Sequence, residues 1–221
     1  DQMNAMSNPT LAPYAKEGEC ELRVTAKAAT SEEAQALLKP TVEQVKKLFH
    51  DKVYGVDVPS LEYVVLEALR TKGLTLGTAE SCTGGLIAKR LTDIPGASQA
   101  FQGGIVSYTN EIKETLLGVP AHMLDRYGAV SREVAAAMAE GARKALNCDI
   151  ALSSTGVAGP DQDGRGNEVG TMFVAIATTR GTHVRALNLG PRPMRERLRT
   201  QTASHAFDLA RRYLSGLDCG D

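Results

Sequence analysis

Along residues 60–214, segments in which every second residue is apolar are interspersed with segments in which apolar residues recur at helical spacing. This succession of strand and helix patterns limits the chain to few fold classes. Runs of period two predict strands at residues 74–79, 104–108, 149–153, 171–179 and 182–189, and runs of helical period predict helices at 61–72, 84–91, 110–117, 131–147 and 194–214. Only Arg180-Gly181 separates the last two strands, a connection typical of an antiparallel pair. We therefore expect an α/β fold, with a mixed, mostly parallel sheet packed between helices in three layers.

The first 56 residues carry a shorter pattern. Residues 1–10 are polar and aperiodic and are expected to be frayed, residues 21–26 alternate as a strand does, and Thr30 and Ser31 open a helix. Pro40 is expected to kink that helix or to start a second one. Because one strand and one or two helices cannot bury a core, we expect a small N-terminal α+β fragment, residues 1–56. A linker within residues 54–59 would join it to a domain at 57–221.

Composition excludes several classes of function. The 25 basic and 26 acidic side chains give a net charge of -1, which argues against nucleic-acid binding, as does an aromatic content of 5% without tryptophan. The four cysteines and four histidines are scattered, so neither a disulfide scaffold nor a metal site is expected, and the cysteine usage fits a cytoplasmic protein. No apolar stretch is long enough for a membrane span, and no signal peptide is recognisable. We expect no cofactor and no membrane partner.

A turn rich in small residues follows the first predicted strand of the larger domain. It reads Thr78-Ala79-Glu80-Ser81-Cys82-Thr83-Gly84-Gly85. Its hydroxyls and glycines lie where a strand passes into a helix, an arrangement suited to an anion or a developing oxyanion. The alternative is that Ser81 or Thr83 is simply the N-cap of the helix.

Two further segments follow predicted strands. Lys113 lies on the first turn of a helix that leaves the strand at 104–108, so it could point back across the strand ends, although a solvated surface lysine is the commoner outcome. Ser153 to Pro160 form a glycine-rich turn that offers backbone N–H donors but lacks the order of a P-loop. Carboxyl ends of strands are where open α/β sheets bind ligands.

Arginine is concentrated near the C-terminal end. Residues 180–212 contain eight arginines and no lysine, and Arg195 and Arg199 share one face of the closing helix. A phosphate or carboxylate ligand would explain this cluster, and a solvated basic face would explain it equally well.

Taken together, these segments resemble the CinA (competence/damage-inducible) family, specifically its C-terminal nicotinamide mononucleotide amidohydrolase domain. The motifs are residues 79–85, Pro95-Gly96-Ala97-Ser98, residues 108–113, Gly128-Ala129-Val130-Ser131 and residues 154–160. The resemblance covers about residues 58–214. Residues 8–56 resemble the end of the KH-type region of long CinA proteins, whose large N-terminal domain has no counterpart here. The chain is therefore expected to be a fragment.

The resemblance implies hydrolysis of nicotinamide mononucleotide to nicotinic acid mononucleotide and ammonia, as a step of pyridine nucleotide salvage. It places the serine nucleophile on Ser81 and the lysine on Lys113, and it implies a homodimer. A lysine base must be neutral, so its pKa must fall from about 10.4 toward roughly 7–8, through burial and through the cationic ring of the substrate.

The substrate-binding residues are expected to be Thr83, Gly84, Tyr108, Thr155, Gly156 and Arg195. The sequence Pro191-Arg192-Pro193-Met194 departs from the family's usual acidic approach, so Arg192 and Arg199 are alternatives to Arg195 for the phosphate. Cys82, next to Ser81, is an alternative nucleophile. Other functions also remain open: hydrolysis of a different amide or ester, or a non-catalytic nucleotide-binding or partner-docking module.

Overall fold

The structure is a computed structural model that describes residues 6–190 and 194–220. It divides into two compact units, Asp1–Val56 and Asp57–Asp221. Within the described ranges, no helix combines the length and the apolar character that a membrane crossing requires.

In its described residues, the N-terminal unit contains a hairpin, one long helix and a short 3-10 helix at His50–Lys52. Strands β1 (Thr10–Lys16) and β2 (Glu19–Thr25) pair antiparallel, and α1 (Ser31–Phe49) follows. The Thr30 hydroxyl caps α1 by accepting the Glu33 N–H at 3.2 Å. Helix α1 runs through Pro40 as one helix, which excludes the second helix and leaves the kink as a prediction. The sequence missed β1, which begins at Thr10, where fraying was expected. Of that frayed segment, residues 1–5 lie outside the described residues.

The larger unit alternates strands and helices. Its elements are α2 (Leu61–Lys72), β3 (Leu76–Glu80), α3 (Leu86–Thr92), β4 (Phe101–Val106), α4 (Asn110–Leu117), α5 (Ala121–Tyr127), α6 (Arg132–Ala145), β5 (Ile150–Gly156), β6 (Thr171–Thr178), β7 (Gly181–Asn188) and α7 (Arg195–Leu214). The sequence pattern predicted each of these elements to within a few residues, except α5, which it missed.

The five strands form one mixed sheet in the order β4-β3-β5-β6-β7. Strand β3 pairs parallel with both β4 and β5, whereas β6 is antiparallel to β5 and to β7. Four of the five strands therefore point the same way. This confirms the predicted mixed, mostly parallel sheet and the predicted antiparallel pair at its end.

Helices cover both faces of the sheet. On one face, α6 packs across β3, β5, β6 and β7 and contacts α4 and α5. On the other face, α7 packs on β5 and β6 beside α2 and α3. All five residues of β3 are buried, as expected for a central parallel strand between two helical layers. The three-layer architecture that the sequence predicts is thus confirmed.

The order of the strands determines where a crevice forms in the larger unit. The connection from β3 to β4 runs through α3 on one face, and the connection from β4 to β5 runs through α4, α5 and α6 on the other face. Because β3, β4 and β5 are parallel, their carboxyl ends meet at one edge, where the two connections diverge. Ligands of open α/β sheets bind at such a point.

Helices α4 and α6 approach each other closely at Gly141. A β-carbon added to this glycine would overlap the carbonyl oxygen of Leu117 at the end of α4. The main apolar cluster lies beside this contact and includes Leu117, Val134, Met138 and Ala142. The glycine is therefore required by the distance between the two helices.

We expect Gly141→Ala to lower the free energy of unfolding by about 1–3 kcal/mol, because a steric overlap with backbone outweighs the gain of about 1 kcal/mol in helix propensity. Thermal unfolding followed by circular dichroism measures the change. Lys144→Ala, at an exposed position of the same helix, is the control and should change the melting temperature little. A melting temperature raised by Gly141→Ala would contradict the close approach of the two helices.

Candidate active site

Ser81 lies at the carboxyl end of β3, where the chain turns toward α3. Its N–H donates to the carbonyl oxygen of Ser154 on β5 at 2.9 Å, and its own carbonyl oxygen accepts the N–H of Gly84 at 3.1 Å. The backbone of Ser81 is thus held on both sides. Its side chain is half-buried at the crevice between β3 and β5.

Lys113 reaches the same place from α4. The helix is capped by Thr109, whose hydroxyl accepts the Ile112 N–H at 3.3 Å, and Lys113 follows one residue later. Only 1% of Lys113 is exposed. Its Nζ lies 3.2 Å from Ser81 Oγ, 2.8 Å from the carbonyl oxygen of Ser107 and 3.4 Å from that of Tyr108.

These contacts favour a neutral lysine. Burial lowers the pKa of Lys113 to about 8, and the partners of its nitrogen named above are a hydroxyl and two carbonyl oxygens rather than a carboxylate. A neutral amine has two N–H bonds and one lone pair. When the two carbonyl oxygens accept the N–H bonds, the lone pair is left to accept the hydroxyl proton of Ser81, which is the geometry of a nucleophile and its base.

Cys82 is poorly suited to be the nucleophile. Its side chain is buried, and burial raises the pKa of the thiol to about 12. The thiol therefore stays protonated at neutral pH, and a thiol is a far weaker nucleophile than a thiolate. The structure favours Ser81 over the alternative that the sequence left open.

A cavity of about 300 Å³ opens beside Ser81 and Lys113. Six of the eight expected site residues line it: Ser81, Tyr108, Lys113, Thr155, Gly156 and Arg195. Asp161 and Asp163, from the loop after β5, also line the cavity and were not singled out in the sequence. Around the serine–lysine pair, the lining thus includes one basic side chain, Arg195, and two acidic ones.

Gly156 can supply a backbone donor to the cavity. Val157, the first residue after β5, donates its N–H to the carbonyl oxygen of Thr171 at 2.9 Å, on the side of β6. On β5 itself, the carbonyl oxygen of Ser154 faces the opposite side and accepts the Ser81 N–H. In a strand, the backbone groups of residues two apart point to the same side. The Gly156 N–H therefore points to the same side as the Ser154 carbonyl oxygen, toward Ser81 beyond the end of β3. This is a suitable position for an oxyanion donor.

Arg195 lies at the first position of α7 and at the rim of the cavity. It donates to the Tyr108 hydroxyl at 2.9 Å and to the carbonyl oxygen of Gly159 at 2.6 Å, and it is exposed. Arg199 is instead engaged with the carbonyl oxygen of Thr83 at 2.7 Å and does not line the cavity. Arg192 lies outside the described residues.

Thr83 and Gly84, two of the residues expected to bind the substrate, are placed differently from the other six. Neither residue lines the cavity. The Thr83 hydroxyl is fully buried and bonds to Glu80 at 2.7 Å and to Ser154 at 2.6 Å, and the Gly84 N–H is used by Ser81. These groups hold the turn together and have no donor left for a substrate.

The Thr155 hydroxyl is also occupied within the protein. It donates to the carbonyl oxygen of Ala129 at 2.7 Å, which ties β5 to the loop before α6. Thr155 remains part of the cavity lining. We interpret its hydroxyl as a structural group that shapes the wall.

Sequence reasoning missed Glu80. Neither Ser81 nor Thr83 caps α3, because its N-cap is Gly85, which has no side chain. The buried carboxylate of Glu80 accepts the N–H groups of Ile87 and Ala88 instead, at 3.0 and 2.8 Å. An acidic residue at the end of a buried strand, followed by a helix with glycine at its N-cap, is the signal that could have identified it.

Within the part of the chain that the structure describes, no group of three or more histidine, cysteine, aspartate or glutamate side chains could hold a metal ion.

Comparison with known proteins identifies the family. Residues 59–214 match the family model of the CinA C-terminal domain, and residues 1–55 match that of the damage-inducible protein CinA KH domain. A CinA-like protein from Desulfovibrio desulfuricans is 48% identical over 212 residues, which are 96% of this chain and 50% of that protein. A CinA-like protein from Dictyoglomus thermophilum is 44% identical over 217 residues, 98% of this chain and 52% of that protein. The chain spans about half the length of these relatives.

Solved structures agree. A CinA superfamily protein from Klebsiella pneumoniae has a TM-score of 0.68 at 28% identity, over 71% of this chain and 96% of the other. The competence/damage inducible protein CihA from Agrobacterium tumefaciens has a TM-score of 0.63 at 34% identity, over 70% and 96%. The chain therefore belongs to the CinA family, and its larger unit is a CinA C-terminal domain.

Proposed function

We propose that this chain hydrolyses the carboxamide of nicotinamide mononucleotide, giving nicotinic acid mononucleotide and ammonia, with Ser81 as nucleophile and Lys113 as base. The observation that carries the proposal is the distance of 3.2 Å between Ser81 Oγ and the buried Nζ of Lys113. A lysine whose pKa lies near 8 is partly neutral at physiological pH and can accept a proton.

In the first half of the reaction, Lys113 takes the Ser81 proton as Oγ bonds to the amide carbon. The carbonyl oxygen becomes an oxyanion, and the Gly156 N–H is placed to donate to it. When the tetrahedral intermediate collapses, the C–N bond breaks and the Lys113 proton goes to the departing nitrogen, which leaves as ammonia. An ester of Ser81 remains.

In the second half, water replaces ammonia. Lys113 takes a proton from the water as the water oxygen bonds to the ester carbon. The intermediate then breaks the bond to Ser81, whose oxygen recovers the proton from Lys113. The product is a carboxylic acid, which ionises at neutral pH because its pKa is far below 7.

The substrate itself suits this cavity. Its pyridinium ring is a cation, which disfavours protonation of a nearby lysine and draws electrons from the amide carbonyl. Its phosphate fits the exposed guanidinium of Arg195 at the rim. Binding of the substrate would therefore help to deprotonate the base that attacks it.

We expect Ser81→Ala to abolish ammonia release, because the substitution removes the nucleophilic oxygen. The melting temperature should stay unchanged, because that oxygen is the only heavy atom removed and the side chain is half-buried. Cys82→Ala is the matched control and should retain most of the activity. Ammonia is measured in a coupled assay with nicotinamide mononucleotide. Substantial turnover by Ser81→Ala would refute the mechanism. An unaltered chain that binds the nucleotide but releases no ammonia would favour the non-catalytic alternative.

The pH dependence should follow Lys113. Because its pKa is lowered to about 8 and only the neutral amine accepts a proton, kcat/KM should rise through about pH 8 and then level off. The midpoint for kcat should lie at lower pH than that for kcat/KM, since the bound cation lowers the pKa further. Initial rates between pH 6 and about pH 10 test this expectation. A rate that falls through pH 8, or a midpoint for kcat above that for kcat/KM, would contradict it.

Arg195→Ala should raise KM for nicotinamide mononucleotide by about 10- to 100-fold, which corresponds to the loss of a charge-assisted hydrogen bond to phosphate. The constants for nicotinamide riboside, which has no phosphate, should change little. Arg197→Ala removes an exposed arginine from the same turn of α7 and is the control. An equal loss for both substrates would show that Arg195 supports the cavity rather than the phosphate.

A further inference from the structure

The carboxylate of Glu80 is buried where β3 passes into the turn that carries Ser81. Its residue is 1% exposed, and four donors surround its two oxygens. They are the Ile87 N–H at 3.0 Å, the Ala88 N–H at 2.8 Å, the Thr83 hydroxyl at 2.7 Å and the Thr78 hydroxyl at 3.4 Å. Both carboxylate oxygens are therefore used as hydrogen-bond acceptors, each from one hydroxyl and one backbone N–H.

The direction of the neighbouring hydrogen bonds follows from this. Since the Thr83 hydroxyl gives its proton to Glu80, its oxygen must accept the proton of the Ser154 hydroxyl, 2.6 Å away. Ser154 in turn accepts the Ser81 N–H at its carbonyl oxygen. A chain of hydrogen bonds thus runs from Glu80 on β3, through the turn, to Ser154 on β5.

Glu80 also closes the loop that contains the nucleophile. The residues between Glu80 and the first turn of α3 form the turn that carries Ser81, and the carboxylate joins the two ends of this turn through Ile87 and Ala88. The N-cap, Gly85, has no side chain that could do the same. Without the carboxylate, the N–H groups of α3 and the Thr83 hydroxyl would lose their acceptor.

We propose that Glu80 is a positioning residue that keeps Ser81 Oγ within hydrogen-bond distance of Lys113 Nζ. This assignment depends on the function proposed above. It acts on geometry, because its oxygens bond to groups of the turn that carries Ser81, whereas Lys113 Nζ bonds to Ser81 Oγ and to two carbonyl oxygens. A carboxylate is needed because it accepts hydrogen bonds at both oxygens. A glutamine would turn an NH₂ group toward one pair of these donors.

The test compares Glu80→Gln with a matched control. Asp149→Asn removes a carboxylate that accepts the N–H and hydroxyl of Thr75, at 2.8 and 2.7 Å, across the same two strands but at their opposite ends. A second pair of variants is Thr83→Val, which removes the hydroxyl next to Glu80, and Thr83→Ser, which keeps it.

Three measurements are made on each variant of the 221-residue chain. The first is kcat and KM for ammonia release from nicotinamide mononucleotide. The second is the rate at which a fluorophosphonate labels Ser81, followed by intact mass, with Ser81→Ala as the blank. In labelling, Oγ bonds to phosphorus, fluoride leaves and Lys113 takes the proton, so it reports the reactivity of Ser81 without the natural substrate. The third is the melting temperature, which shows that each variant is folded at the assay temperature.

We expect Glu80→Gln and Thr83→Val to lower both kcat and the labelling rate by about 10²-fold, the usual cost of a nucleophile displaced by about 1 Å, with KM and the pH midpoint little changed. Thr83→Ser should be close to the unaltered chain. Asp149→Asn should lower the melting temperature but leave both rates unchanged.

The proposal is overturned if Glu80→Gln, folded at the assay temperature, keeps both rates within twofold or shifts the pH midpoint, or if Asp149→Asn slows labelling equally. The unaltered chain could be labelled in a way that depends on Glu80 and yet show no activity on nicotinamide mononucleotide. That result would refute the proposed substrate and support the positioning role. If Ser81 is neither labelled nor active in the unaltered chain, both proposals are wrong.

Discussion

The site depends on one buried amine. Lys113 is removed from water, and its nitrogen lies against two carbonyl oxygens and one hydroxyl. Among the residues that the structure describes, no acidic partner offsets the cost of burying its charge. That cost lowers the pKa to about 8 and makes the neutral form accessible. The two carbonyl oxygens then decide where the lone pair points. Burial and orientation together give Lys113 an accessible neutral form and direct its lone pair toward the Ser81 hydroxyl.

The sheet topology explains why the partners meet. Ser81 follows β3, the carbonyl oxygens of Ser107 and Tyr108 follow β4, and Gly156 ends β5. These three strands are parallel neighbours, so their ends share one edge. The groups that secure this edge are internal: Glu80 fixes the turn around Ser81, and the cavity is left to the groups that can contact a substrate.

Much of the fold could be predicted because the relevant signals are local. The alternation of β6 and β7 and the helical period of α6 are legible in short windows, and capping residues such as Ser131 mark where helices begin. Strand β1 and helix α5 were not predicted, because their signals are not local. Strand β1 is held by its pairing with β2, and α5 is a short helix without a side-chain cap that packs on α6. Neither carries a strong local period.

The sequence alone determined the family, the α/β architecture and the residues worth examining, because motif order and hydrophobic period are properties of the chain itself. Only the tertiary structure decided which of these residues face the cavity. It brought Ser81 and Lys113 together, turned Thr83 and Gly84 into internal supports and gave Glu80 its four donors. The physical reason is that burial and hydrogen-bond partners are set by segments far apart in the chain. The type of a residue does not fix which donor or acceptor will be left free for a substrate.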